Sequence, residues 1–70
     1  MRKQTPLRNL RRTRTISQAT LAELLGVSQQ TLSKFENGVL VPSFDMQARI
    51  AAILGTSPDE LFPVEERRAS

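Results

Sequence analysis

The sequence predicts an all-α domain of five short helices, and three observations carry that prediction. Short polar residues recur just ahead of apolar runs, where their side chains can satisfy the free amides of a helix start. Glycines follow two of those runs as stops. No stretch alternates apolar and polar residues with the period of a strand.

Thr5 followed by Pro6 opens the first helix, because proline in the first helical position gives up no needed hydrogen bond. Leu7 and Leu10 lead it into the folded pattern. Ser17 opens the second helix, and Leu21, Ala22, Leu24 and Leu25 supply its buried side. Gly26 ends it in the left-handed conformation that glycine adopts without steric cost. Val27 and Ser28 start the third helix after a very short turn. Ser43, just past Pro42, opens a fourth that ends at Gly55. Ser57, Pro58 and Glu60 form an S-x-x-E capping box, and the fifth helix runs through Leu61 and Phe62. The domain so defined covers residues 5–62, between a basic arm at 1–4 and a charged tail at 63–70.

A chain of 70 residues holds one core. Its net stability is expected at about 4 to 10 kcal/mol, so a helix cap worth about 1 kcal/mol matters. With no Cys and no His, thiol nucleophiles, disulfides, imidazole bases and the usual zinc ligand sets are excluded, and no metal or cofactor is expected. Asp45, Asp59, Glu60, Glu65 and Glu66 offer no pair suited to acid–base work, so no enzymatic activity is expected either. The aromatics Phe35, Phe44 and Phe62, without Trp or Tyr, argue against stacking of single-stranded bases. No apolar run approaches the roughly 18 residues of a membrane span, and no secretory signal is evident, so the expectation is a soluble, cytoplasmic protein.

The net charge of +3 conceals an asymmetry. Residues 1–14 contain Arg2, Lys3, Arg8, Arg11, Arg12 and Arg14 and no acid, leaving four basic against seven acidic residues in the other 56. Such an end suits a polyanionic partner, and equally a plain solvated arm. The third helix tips the balance. Val27, Leu32 and Phe35 mark its inward face, while Gln30, Ser33, Lys34 and Asn37 recur outward at i, i+3, i+4 and i+7, with Gln29 at the start. Solvated helix faces are usually stocked with Glu and Lys. Amides instead present a donor and an acceptor together, matching the N6 and N7 edge of adenine, and Lys reaches the acceptors of guanine.

Residues 17–38, SQATLAELLGVSQQTLSKFENG, resemble the core of the Cro and lambda-repressor-like, or Xre-type, helix-turn-helix domains. Ala22 stands where the first helix of that motif must be small, Gly26 falls four residues later in the turn, and Leu32 and Phe35 occupy the buried sites of the recognition helix. The likeness extends to Leu7, Leu10 and Arg11 before it, and to Pro42, Ser43, Phe44, Ile50, Ala51, Leu54, Gly55 and Asp59 to Phe62 after it. It implies a compact five-helix domain with the helix-turn-helix in helices two and three. It also implies a sequence-specific regulator of transcription that binds double-stranded DNA, a repressor acting as a dimer on a palindromic operator.

By the same resemblance, Gln29, Gln30, Ser33 and Lys34 read bases. Gln18 bonds a phosphate and braces Gln29; Asn37 and the backbone amide of Gly38 clamp phosphates, and Thr31 either reaches a phosphate or packs its methyl inward. The charge of the basic arm gives Arg2 and Lys3 a phosphate-binding role as well. Arg11 either contacts a phosphate or forms a partly buried ion pair with Glu36. Three departures stand out. Where relatives carry basic residues after Asn-Gly, this chain has Val39, Leu40 and Val41. Either Leu40 or Val41 folds back onto the fourth helix, or the loop joins Leu61 and Phe62 in a dimer or partner contact. Thr15 replaces a common glycine, so the first helix is expected to exit differently. Gln47 sits where a core leucine is usual, so either Met46 fills the space or the fourth helix faces a partner. The apolar loop also keeps open a second class of function, an antitoxin or adaptor whose main partner is a protein.

Overall fold

In the computed structural model, whose described residues are 6–62, the chain forms α1 (Pro6–Thr13), α2 (Gln18–Leu25), α3 (Gln29–Glu36), α4 (Phe44–Leu54) and α5 (Pro58–Leu61). No strand occurs among the described residues. The basic arm with Arg2 and Lys3, and the tail at 63–70, lie outside them.

Capping chemistry fixes where three of these helices begin. The hydroxyl of Ser17 accepts from the Thr20 amide at 3.0 Å, that of Ser28 from Thr31 at 3.1 Å, and that of Ser43 from Met46 at 3.2 Å. At α5 the expected box does not form. Ser57 makes no side-chain cap, and the Glu60 carboxylate instead accepts from the Thr56 hydroxyl at 2.6 Å. Pro58 and the Glu60 amide, which reaches the Ser57 carbonyl at 3.1 Å, are left to start this short helix.

The first four helices all stop with a left-handed residue: Thr15 (φ 55°), Gly26 (φ 75°), Gly38 (φ 74°) and Gly55 (φ 72°). After each, the next amide reaches back to the helix; Ile16 donates to Arg11, Val27 to Ala22, Val39 to Lys34 and Thr56 to Ala51, at 2.9 to 3.2 Å. The exit of α1 is therefore the same kind of turn as those at the three glycines. Its β-branched Thr15 adopts a backbone conformation that glycine would hold without strain.

Leu7, Leu21, Ala22, Leu25, Leu32, Phe35, Ile50, Ala51, Leu54, Leu61 and Phe62 form the core, with Leu10, Ile16, Val27 and Met46 packed at its margin. Leu24 is 55% exposed, because the buried stripe of α2 runs through Leu21, Ala22 and Leu25 and leaves it outside. Helix α5 lies against α1 and α4. That packing buries Leu61 and Phe62 within the domain, so they are core residues and not a surface for a partner. Gln47 enters the interior itself, only 3% exposed, and donates from Nε2 to the Pro42 carbonyl at 2.9 Å. It thereby ties the start of α4 to the incoming loop, while Met46 stays half-buried. Among the described residues, no buried side-chain polar atom lacks a hydrogen-bond partner.

Candidate nucleic-acid interface

Helices α2 and α3 meet through the tight turn at Gly26, and the amphipathic pattern of α3 decides which side it presents. Leu32, Phe35 and Glu36 are buried beneath it. Gln29, Gln30 and Lys34 are exposed, with Thr31, Ser33 and Asn37 half-buried at the edges. The amide face read from the sequence therefore points away from the core. No acidic residue sits in the first turn of α2 or α3, so no carboxylate offsets the positive end of either helix dipole there.

Beneath that face runs a continuous polar relay. Arg11 Nε donates to Glu36 Oε2 at 2.5 Å and Nη2 to Glu36 Oε1 at 3.3 Å, while Nη1 donates to the Ile16 carbonyl at 2.8 Å. Gln18 Nε2 donates to Glu36 Oε1 at 3.0 Å, and Gln29 Nε2 to Gln18 Oε1 at 3.1 Å. Arg11 is 8% exposed. Its guanidinium bonds Glu36 and Ile16, so the ion pair of the two alternatives is the one the fold forms. The brace between Gln18 and Gln29 is present; the bond that Gln18 donates to Glu36 goes beyond what the sequence pattern indicates. Chemistry at position 36 hinted at it, since a buried carboxylate needs more donors than one arginine supplies in a single geometry.

Other expected contacts are partly engaged within the chain. The Gly38 amide lies 3.4 Å from the Phe35 carbonyl, and Asn37 Nδ2 donates to Ser33 Oγ at 3.3 Å. The hydroxyl of Ser28 donates to Thr31 Oγ1 at 3.0 Å. Arg14, counted with the basic end, donates from Nε to the Leu54 carbonyl at 2.9 Å and so places a cation at the negative end of α4. Its partner is 40 residues away, which local sequence pattern could not reveal. Arg12 remains exposed and Arg8 half-buried.

The loop after α3 does not fold back. Val39, Leu40 and Val41 are 51%, 46% and 52% exposed, and Phe44, at the first position of α4, is 75% exposed. The exposure of Phe44 is not evident from the sequence, because its place beside the Ser43 cap reads as an ordinary helix start. No group of three or more acidic, His or Cys residues that could hold a metal occurs among the described residues. Nor is any described helix long and apolar enough to cross a membrane.

The sequence model of the family HTH_3, described as helix-turn-helix, matches residues 7–61. No curated protein sequence matches the chain. Among solved structures, the restriction-modification controller protein C.AhdI from Aeromonas hydrophila superposes with a TM-score of 0.71 and 36% identity, over 80% of this chain and 85% of that one. The P22 c2 repressor, in complex with synthetic operator 9T, gives 0.73 and 31%, over 79% and 83%. Apo-HppE gives 0.71 and 36% over 81% of this chain, but only 32% of its own.

Proposed function

The chain belongs to the helix-turn-helix family and is a DNA-binding transcription regulator; we propose that it represses by occupying an operator with α3 in the major groove. The observation that carries this reading is the outward face of α3, where Gln29, Gln30 and Lys34 are exposed while Leu32 and Phe35 anchor the helix below. Gln29 and Gln30 offer paired donors and acceptors to base edges, and Lys34 reaches guanine acceptors. Gln18, Thr31, Asn37 and the start of α2 hold phosphates and fix the approach, with Arg2 and Lys3 adding sequence-independent attraction. The work lies in the cytoplasm and needs no catalysis. The match to HppE, limited to a third of that protein, extends to the helical unit alone.

The exposed Val39, Leu40 and Val41 favour a dimer, which would space two recognition helices about one DNA turn apart and make the operator a palindrome. Selection of bound sequences from random duplex DNA tests both points. A single enriched motif with two-fold symmetry is expected; recovery of unenriched sequence would overturn sequence-specific binding, and an asymmetric single motif would remove the dimer. Raising salt should weaken binding steeply, and Arg2→Ala with Lys3→Ala should flatten that slope without changing the motif. The same apolar loop favours a second reading, a module whose main partner is another protein. Co-purification of a stoichiometric protein partner that competes with DNA would support it.

A further inference from the structure

Glu36 is 1% exposed and so has no surface with which to touch DNA, yet it is joined to the outward amide face through Gln18. A carboxylate only accepts hydrogen bonds. The group that Gln18 turns toward Glu36 must therefore be its NH2, leaving its oxygen for Gln29. Gln29 must then turn its own NH2 toward Gln18. One N–H and the carbonyl oxygen of Gln29 remain for a base, the donor and acceptor pair that fits adenine. Were the chain of amides reversed, the Gln29 oxygen would face Gln18 and two N–H groups would face outward, which suits the two acceptors of guanine.

We propose that Glu36 is a positioning residue for specificity, a buried acceptor that fixes the polarity of the relay and thereby the hydrogen-bond pattern Gln29 offers to the operator. The inference rests on the proposed reading of DNA by α3. Arg11 anchors Glu36 from the other side, so the polarity originates in an ion pair rather than in the amides themselves.

The test compares base preferences of the full chain and its Gln29→Ala, Glu36→Gln and Gln18→Met variants, by selection from random duplex DNA, with urea unfolding run on each. Gln29→Ala identifies the base pair that Gln29 reads. Glu36→Gln supplies an amide able to present either end, and Gln18→Met cuts the link while leaving the Arg11–Glu36 pair whole. Both should lower the preference for adenine over guanine at that base pair by about tenfold relative to the preferences at the other positions; Gln18→Met, which also gives up a phosphate contact, should in addition bind all duplexes more weakly. If Glu36→Gln is unfolded, the double variant Arg11→Met with Glu36→Leu, which removes the acceptor and its buried cation together and keeps Gln18, decides in its place. Unaltered preference at that base pair in a folded variant, or an equal loss at every position, overturns the inference while sparing the reading of DNA by α3. Absence of any motif for the unsubstituted chain overturns both.

Discussion

The two halves of the domain share one apolar core and differ in what is added to it. Helices α1 to α3 share the Arg11–Glu36–Gln18–Gln29 relay beneath the amide face, whereas α4 and α5 close over the core with Ile50, Ala51, Leu54, Leu61 and Phe62. Apolar packing is non-directional and sets how much stability the domain has. Hydrogen bonds to a buried charge are directional, and here they set where a side chain points. The half proposed to face DNA is thus the one that adds to its core groups that are costly to leave unpaired.

The contrast can be broken most strongly at Glu36. Glu36→Ala leaves Arg11 buried without its partner and should cost about 3 to 5 kcal/mol in urea unfolding, much of the stability of so small a domain. A loss under 1 kcal/mol would mean the relay carries little structural weight. In the other half, Leu54→Ala should cost about 2 to 4 kcal/mol through the cavity it opens, and the folded fraction should keep its base preferences unchanged. A shifted motif in that variant would show that the two halves are not separable.

Gln30→Ala sharpens the comparison from the surface. Its side chain is exposed and takes no part in the relay, so unfolding should move by less than about 0.5 kcal/mol while affinity for the selected duplex falls by about 1 to 3 kcal/mol. Equal loss on scrambled DNA in a gel-shift assay would reassign Gln30 to nonspecific contact. The smallest effect is expected at the exit of α1, where Thr15→Gly should raise stability by about 1 kcal/mol by relieving a left-handed threonine. No gain in the urea midpoint would show that the turn is unstrained.

Much of this was legible in the residues because it is local. Serine caps at 17, 28 and 43, stops at Gly26 and Gly55, and the two faces of α3 all follow from side chains within a turn or two of their partners. What escaped depends on distance or on competition. Arg14 finds a carbonyl at Leu54, Gln47 is buried because the Pro42 carbonyl is there to receive it, and Thr56 takes the carboxylate that the capping pattern assigned to Ser57. Leu61 and Phe62 read as a sticky end until α1 and α4 are placed around them. Polarity of the relay was hidden for the same reason, since Gln18 and Glu36 are 18 residues apart.

The most direct measurement is a titration of the isotopically labelled protein with its selected duplex, followed through the side-chain amide resonances of Gln29 and Gln30. Both pairs should shift strongly and saturate together at the stoichiometry of binding, with Leu32 and Phe35 responding little. Shifts confined to Val39, Leu40, Val41 and Phe44, with both glutamine amides unmoved, would contradict the claim that the outward face of α3 reads DNA.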